Sequence, residues 1–213
     1  MEPLAGLLGA GGFALGLTAD RFATRWPEHD EEHPPGRAVD WRTALVALVG
    51  ALAFGLLPLR FAGDPLAFAV FGAWFVTLIV GLATDLDQRL LPDVLTLPVI
   101  PVALVYALSG TNPLVGTEVV LAIVAAVAIP AVLYLPSIPF GAGAFGLGDV
   151  KLLVGVGLLA GASRALGSVV FALALAGIVI VVLLLGRRIG RRTYIPFGPF
   201  FILGALWAVL IRP

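Results

Sequence analysis

Residues 165–186 read ALGSVVFALALAGIVIVVLLLG, a run of 22 residues with no charged side chain, followed at once by Arg187 and Arg188. The hydrocarbon core of a bilayer is about 30 Å thick, and an α-helix rises about 1.5 Å per residue, so about 20 apolar residues span it. Inside lipid each backbone N–H and C=O needs a partner within its own segment, which favours the helix. The run is therefore expected to cross a membrane as an α-helix.

Working outward, comparable apolar runs lie near 3–19, 43–61, 66–84, 92–109, 116–136, 151–162 and 196–211. The expected fold is all-α: a polytopic membrane helix bundle of about eight transmembrane helices, forming one integral-membrane domain over 1–213. The run at 151–162 is short, so it is expected to be a half-span or to merge with its neighbour. The composition agrees, with 60% of the 213 residues hydrophobic, 12% charged and a mean hydropathy of +1.07. A soluble domain carries about 25% charged residues. No cysteine is present, which excludes disulfides and thiolate metal sites. The opening MEPLAGLLGAGGFALGL lacks a basic segment ahead of its apolar run and reads as a retained first helix rather than a signal peptide. The long polar segment 20–42 contains Pro34-Pro35-Gly36 and reads as a loop.

Basic residues give the expected orientation. Placing the loop at 20–42 in the cytoplasm puts ten of the thirteen lysines and arginines on that side, leaving Arg60, Arg164 and Arg212 opposite. Asp85, at the end of the third run, then lies at the same face as Asp149, at the start of the sixth.

Acids near membrane helices are costly and are functional candidates. Asp85 closes VTLIVGLAT, and Asp149 follows the glycine-rich FGAGAFGLG and precedes KLLVGVGLLAG. Two carboxylates at one depth can share a proton, because two neighbouring like charges resist joint ionisation. One then serves as general base on a water and the other as general acid. Gly146 and Gly148, having no Cβ, would let a substrate backbone or a helix come close to Asp149. The competing class is a small proton- or cation-coupled transporter that uses Asp85 and Asp149 as a relay. Acids at helix ends rather than mid-span argue against it.

The segment Asp85-Leu-Asp-Gln-Arg-Leu-Leu-Pro-Asp93 resembles the first signature of the type IV prepilin peptidase (leader peptidase) family. Gly146-Leu-Gly148-Asp149-Val-Lys151 resembles its second, the G-x-G-D motif followed by Val-Lys, and Ile195-Pro-Phe-Gly-Pro-Phe200 resembles its closing element. The resemblance implies an intramembrane aspartic endopeptidase that removes the leader from prepilins, pseudopilins or related secretion subunits. The work would be done at the cytoplasmic face of the inner membrane, with Asp85 and Asp149 as the catalytic pair. Asp93 and Lys151 match supporting positions, and Asp93 is expected to cap the helix after Pro92. Asp87 is expected in an exposed turn. Expected partners are the precursor proteins and membrane lipid, not nucleic acid, and no cofactor or metal is expected. Many members of the family carry two Cys-x-x-Cys pairs in the first cytoplasmic loop and also methylate the product. The cysteine-free loop at 20–42 departs from that pattern, so the resemblance does not extend to the methyltransferase. His29 and His33 in that loop are expected to be solvated.

Overall fold

The computed structural model describes residues 2–31, 34–140, 145–188, 190 and 195–211. These residues form helices joined by turns, and no strand occurs among them. The chain divides into two compact units, Met1–Val99 and Ile100–Pro213. Four helical stretches are long and apolar enough to cross a membrane: Trp41–Phe61, Pro65–Gln88, Val119–Pro139 and Leu147–Leu185. Asp93–Leu108 and Gly198–Leu210 are shorter apolar helices. The architecture is the expected polytopic helical bundle.

In the first unit, α1 (Glu2–Ala23) lies along α2 (Trp41–Phe61), and α3 (Pro65–Gln88) packs on both. Small residues set the α1–α2 approach. A Cβ on Gly12 would come within 2.2 Å of the Gly50 carbonyl oxygen, and one on Gly16 within 2.5 Å of the Ala47 Cα. Lipid tails are as apolar as the helices, so no hydrophobic force drives them together, and close backbone packing supplies the attraction instead. Asp40 caps α2: its carboxylate accepts from the Arg42 N–H at 2.8 Å, and Thr43 Oγ1 accepts from the Asp40 N–H at 3.4 Å. Asp64 caps α3 by accepting from the Ala67 N–H at 2.9 Å, with Pro65 at the first helical position. Arg89 ends α3 in the left-handed conformation at φ 57°, and its N–H donates to the Asp85 carbonyl at 2.9 Å.

The helical ends differ from the apolar runs. Helix α1 continues through Ala23 and α2 begins at Trp41, so residues 20–23 and 41–42 of the expected loop are helical. The Asp40 cap explains the second boundary. The short α4 (Asp93–Thr96) and α5 (Val99–Leu108) follow.

In the second unit, α7 (Leu147–Leu185) packs on α6 (Val119–Tyr134) and on α8 (Gly198–Leu210). The expected sixth and seventh helices are one element, broken at Gly161. Gly161 has φ 77° and ψ 167°, a region open in practice to glycine alone. A Cβ there would also press on the Leu114 carbonyl oxygen at 3.1 Å. Buried Asn112 braces this break: its Nδ2 donates to the Leu159 carbonyl at 3.0 Å, and its Oδ1 accepts from the Leu114 N–H at 2.9 Å. Gly157 rides against Ala126 of α6, and Gly204 against the Ser168 carbonyl, where added Cβ atoms would approach to 2.5 and 2.4 Å.

Candidate active site

The two aspartates fall in different units, and each is placed by its own. Asp85 lies in the last turn of α3 and is buried. The helix extends past the apolar run to Gln88, so Asp87 is helical as well. Asp87 is not in an exposed turn: only 5% of its side chain is exposed. His29 and Arg37, from the segment between α1 and α2, reach over this end of α3 and cover Asp87.

The residues that cover Asp87 form a network of buried charge. Arg37 Nε donates to Asp87 Oδ1 at 2.6 Å, Nη2 to Asp20 Oδ1 at 2.6 Å, and Nη1 to Asp40 Oδ1 at 2.5 Å. One planar guanidinium thus joins the last turn of α1, the cap of α2 and the last turn of α3, a fork geometry that arginine has and lysine lacks. Asp20 is completely buried and also accepts from Arg21, and from the Thr43 hydroxyl at 2.7 Å. Burial pulls the Arg37 guanidinium pKa down, but the hydrogen bonds to Asp87 and Asp20 outweigh it and raise the pKa above the ordinary arginine value. Arg37 therefore stays charged at any working pH.

His29 belongs to the same network. Its Nε2 lies 3.3 Å from Asp87 Oδ2 and 3.1 Å from Gln88 Nε2, and its side chain is 5% exposed rather than solvated. Gln88 also donates to the Ala23 carbonyl at 3.1 Å, closing the C-terminal end of α1. His33 and Glu32 lie outside the described residues. Among the described residues, no group of three or more histidines and acids is arranged to hold a metal ion.

Asp93 is exposed and takes the first position of α4, whose cap is Pro92. The expected capping role fails because the cap falls one residue earlier, on a residue with no side-chain acceptor.

In the second unit, Asp149 is buried in the first turn of α7, whose cap is Gly146. Asp149 is the third residue of the helix, and its Oδ2 lies beside the Gly146 cap. Gly146 has φ −71° and ψ 139°, which any residue can adopt. The nearest atom to a Cβ there would be Asp149 Oδ2 at 3.4 Å, an ordinary contact. Gly148 and Lys151 lie in the same first turns, with Lys151 half-buried. Just before them, Phe145 packs edge-on against buried Phe201 of α8 at 5.8 Å, and Phe201 also meets Phe197. The G-x-G-D segment and the closing Pro-Phe-Gly-Pro-Phe element are therefore neighbours in space.

A family model described as the type IV leader peptidase family matches residues 72–185, which include Asp85, Asp93 and Asp149. The chain belongs to this family. Among relatives, a protein of Burkholderia pseudomallei (strain 1026b) named prepilin leader peptidase/N-methyltransferase is 35% identical over 158 residues, covering 73% of this chain and 50% of the relative. A protein of the same name from Dickeya chrysanthemi is 33% identical over 188 residues, covering 84% and 63%. The type 4 prepilin-like proteins leader peptide-processing enzyme of Escherichia coli O78:H11 is 31% identical over 174 residues, covering 80% and 62%. The chain thus spans half to somewhat under two thirds of these relatives. No solved structure matches it.

Sequence reading missed the network around Asp87. A signal was present in part: Asp20 and Arg21 follow an apolar run directly, and Asp40-Trp-Arg-Thr43 has capping-box spacing. Neither names Asp87 as the partner.

Proposed function

We propose that this chain is an intramembrane aspartic endopeptidase that removes the leader from prepilins, pseudopilins or related secretion subunits. Asp85 and Asp149 form the catalytic pair. One carboxylate activates the attacking water, and the other donates a proton toward the scissile carbonyl or leaving amine. The active site lies at the cytoplasmic face of the inner membrane, where a precursor's hydrophobic helix emerges. A single membrane domain does this work, its short cytoplasmic loop lacking the cysteine pairs of many members of the family. The mature product keeps a free, unmethylated N-terminus, and neither cofactor nor metal takes part. The observation that carries the reading is the family match over 72–185, which contains both aspartates within their motifs. Burial of each aspartate at the end of an apolar helix supports it.

The test uses the full chain in membranes with candidate precursors. Asp85→Asn and Asp149→Asn are each expected to abolish cleavage at unchanged membrane levels. Substantial cleavage by either variant at matched expression overturns the pair. A fourteen-dalton gain in product mass with a methyl donor present overturns the unmethylated product. Loss of cleavage on chelation, restored by zinc, overturns the metal-free mechanism.

A further inference from the structure

The proposed peptidase mechanism uses Asp85 but leaves unexplained why so many charges converge two residues further on. We propose that Arg37 is a positioning residue which, by gripping Asp87, sets the rotation and height of the last turn of α3 and with it Asp85. The proposal rests on the peptidase reading for its consequence, though the grip itself is structural.

Successive helical residues turn by about 100°, so Asp85 and Asp87 lie about 200° apart around α3. A hold on Asp87 therefore acts from the side away from Asp85. Arg37 reaches Asp87, Asp20 and Asp40 at 2.6, 2.6 and 2.5 Å through three different nitrogens. Asp20 and Asp40 are themselves fixed, the first by Arg21 and Thr43, the second by its cap on α2. The end of α3 is thus referenced to the ends of both neighbouring helices rather than to a mobile side chain. The helices do not need the clamp to stay together. The α1–α2 seam is held by the backbone approach at Gly12, Gly16, Ala47 and Gly50, on the membrane side of Asp20. Removing Arg37 should lower stability, as any unpairing of this buried group does, and in the molecules that remain folded it should free the last turn of α3 while the three-helix packing stays in place.

Displacing a reacting group by about 1 Å can cost about 100-fold in rate, which sets the expected scale. Arg37→Gln, Arg37→Lys, Asp87→Asn and the double variant Arg37→Gln/Asp87→Asn are made in the full chain and reconstituted in lipid nanodiscs. Cleavage of a precursor is measured per folded molecule, and amide hydrogen exchange is followed across 86–91. Arg37→Gln and Asp87→Asn are each expected to lower kcat by about 10- to 100-fold with KM within about twofold. Arg37→Lys restores little, because a compact ammonium does not span the three positions at which separate guanidinium nitrogens meet Asp87, Asp20 and Asp40. The double variant is no worse than the worse single, and exchange rises at 86–91 but not across the middle of α1 or α2. Arg25→Gln, an exposed charge in the same loop, is the control and retains activity. Unchanged kcat in Arg37→Gln overturns the proposal, as do losses in the two single variants that multiply in the double. A wild-type chain that cleaves no precursor overturns the peptidase reading, and hydrogen exchange then decides the clamp alone: unchanged exchange at 86–91 in Arg37→Gln overturns it.

Discussion

The end of α3 and the start of α7 each carry one of the two aspartates, and they are built in opposite ways. At the end of α3, Asp87 is held by Arg37 and by His29, 58 positions away, and Arg37 is held in turn by Asp20 of α1 and by Asp40 at the cap of α2. At the start of α7, Asp149 Oδ2 lies against Gly146, three residues earlier. The first is a tertiary device, the second a helix N-terminus. A local device tolerates local change, and a tertiary one fails when any distant partner is lost.

The largest effect expected of that difference is in stability. Asp20→Asn leaves Arg37 facing one fewer carboxylate in a buried site, and breaking a buried ionic group costs about 3–5 kcal/mol. Thermal unfolding in detergent should drop by many degrees. At the start of α7, Gly146→Ala should change stability by no more than about 0.5 kcal/mol, since its backbone is unstrained and a Cβ fits. Equal losses in the two variants would erase the distinction.

A second test asks whether a tertiary device elsewhere behaves like the clamp. Asn112 supports the break at Gly161 from a loop 47 positions away from its partner Leu159. Asn112→Ala leaves the buried Leu159 carbonyl without this donor, at a cost of about 1–3 kcal/mol. Gly161→Ala forces a side chain into a backbone region that costs about 1–3 kcal/mol. Because both act on one break, the double variant should lose less than the sum, as a double-mutant cycle would read.

The third expectation sharpens the meaning of Gly146. The described fold does not need glycine there, unlike Gly12, Gly157 or Gly204, where a Cβ would collide with backbone. If its bareness serves an approaching substrate, Gly146→Ala raises KM several-fold at unchanged stability. Unaltered KM would return Gly146 to a neutral cap. The smallest effect belongs to the loop acids Glu28, Asp30 and Glu31, which are exposed. Under the peptidase reading, exposed pairings of these acids with basic groups of a precursor would contribute about 0–1 kcal/mol each and fade with salt. Neutralising them should raise KM modestly at low salt and not at high salt, and identical kinetics at low salt would remove the loop from substrate capture.

Hydropathy made the bilayer, the helices and the positions of Asp85 and Asp149 at helix ends legible in the sequence, because each depends on a local run of residue types. The short G-x-G-D segment was legible for the same reason, since its glycines and its aspartate lie within four consecutive residues. Asp87 was misread as exposed because its environment is supplied from elsewhere. Nothing in Asp-Leu-Asp-Gln-Arg announces an arginine 50 positions earlier. The merging of the short run at 151–162 with its neighbour was among the expectations its length raised, whereas the break at Gly161 and the pairing of Phe145 with Phe201 were hidden likewise. Apolar runs specify that helices form but carry little record of which faces meet. Those partners are set by backbone approach at small residues such as Gly12 and Gly157, and only once the helices pack do distant polar groups come within hydrogen-bonding distance.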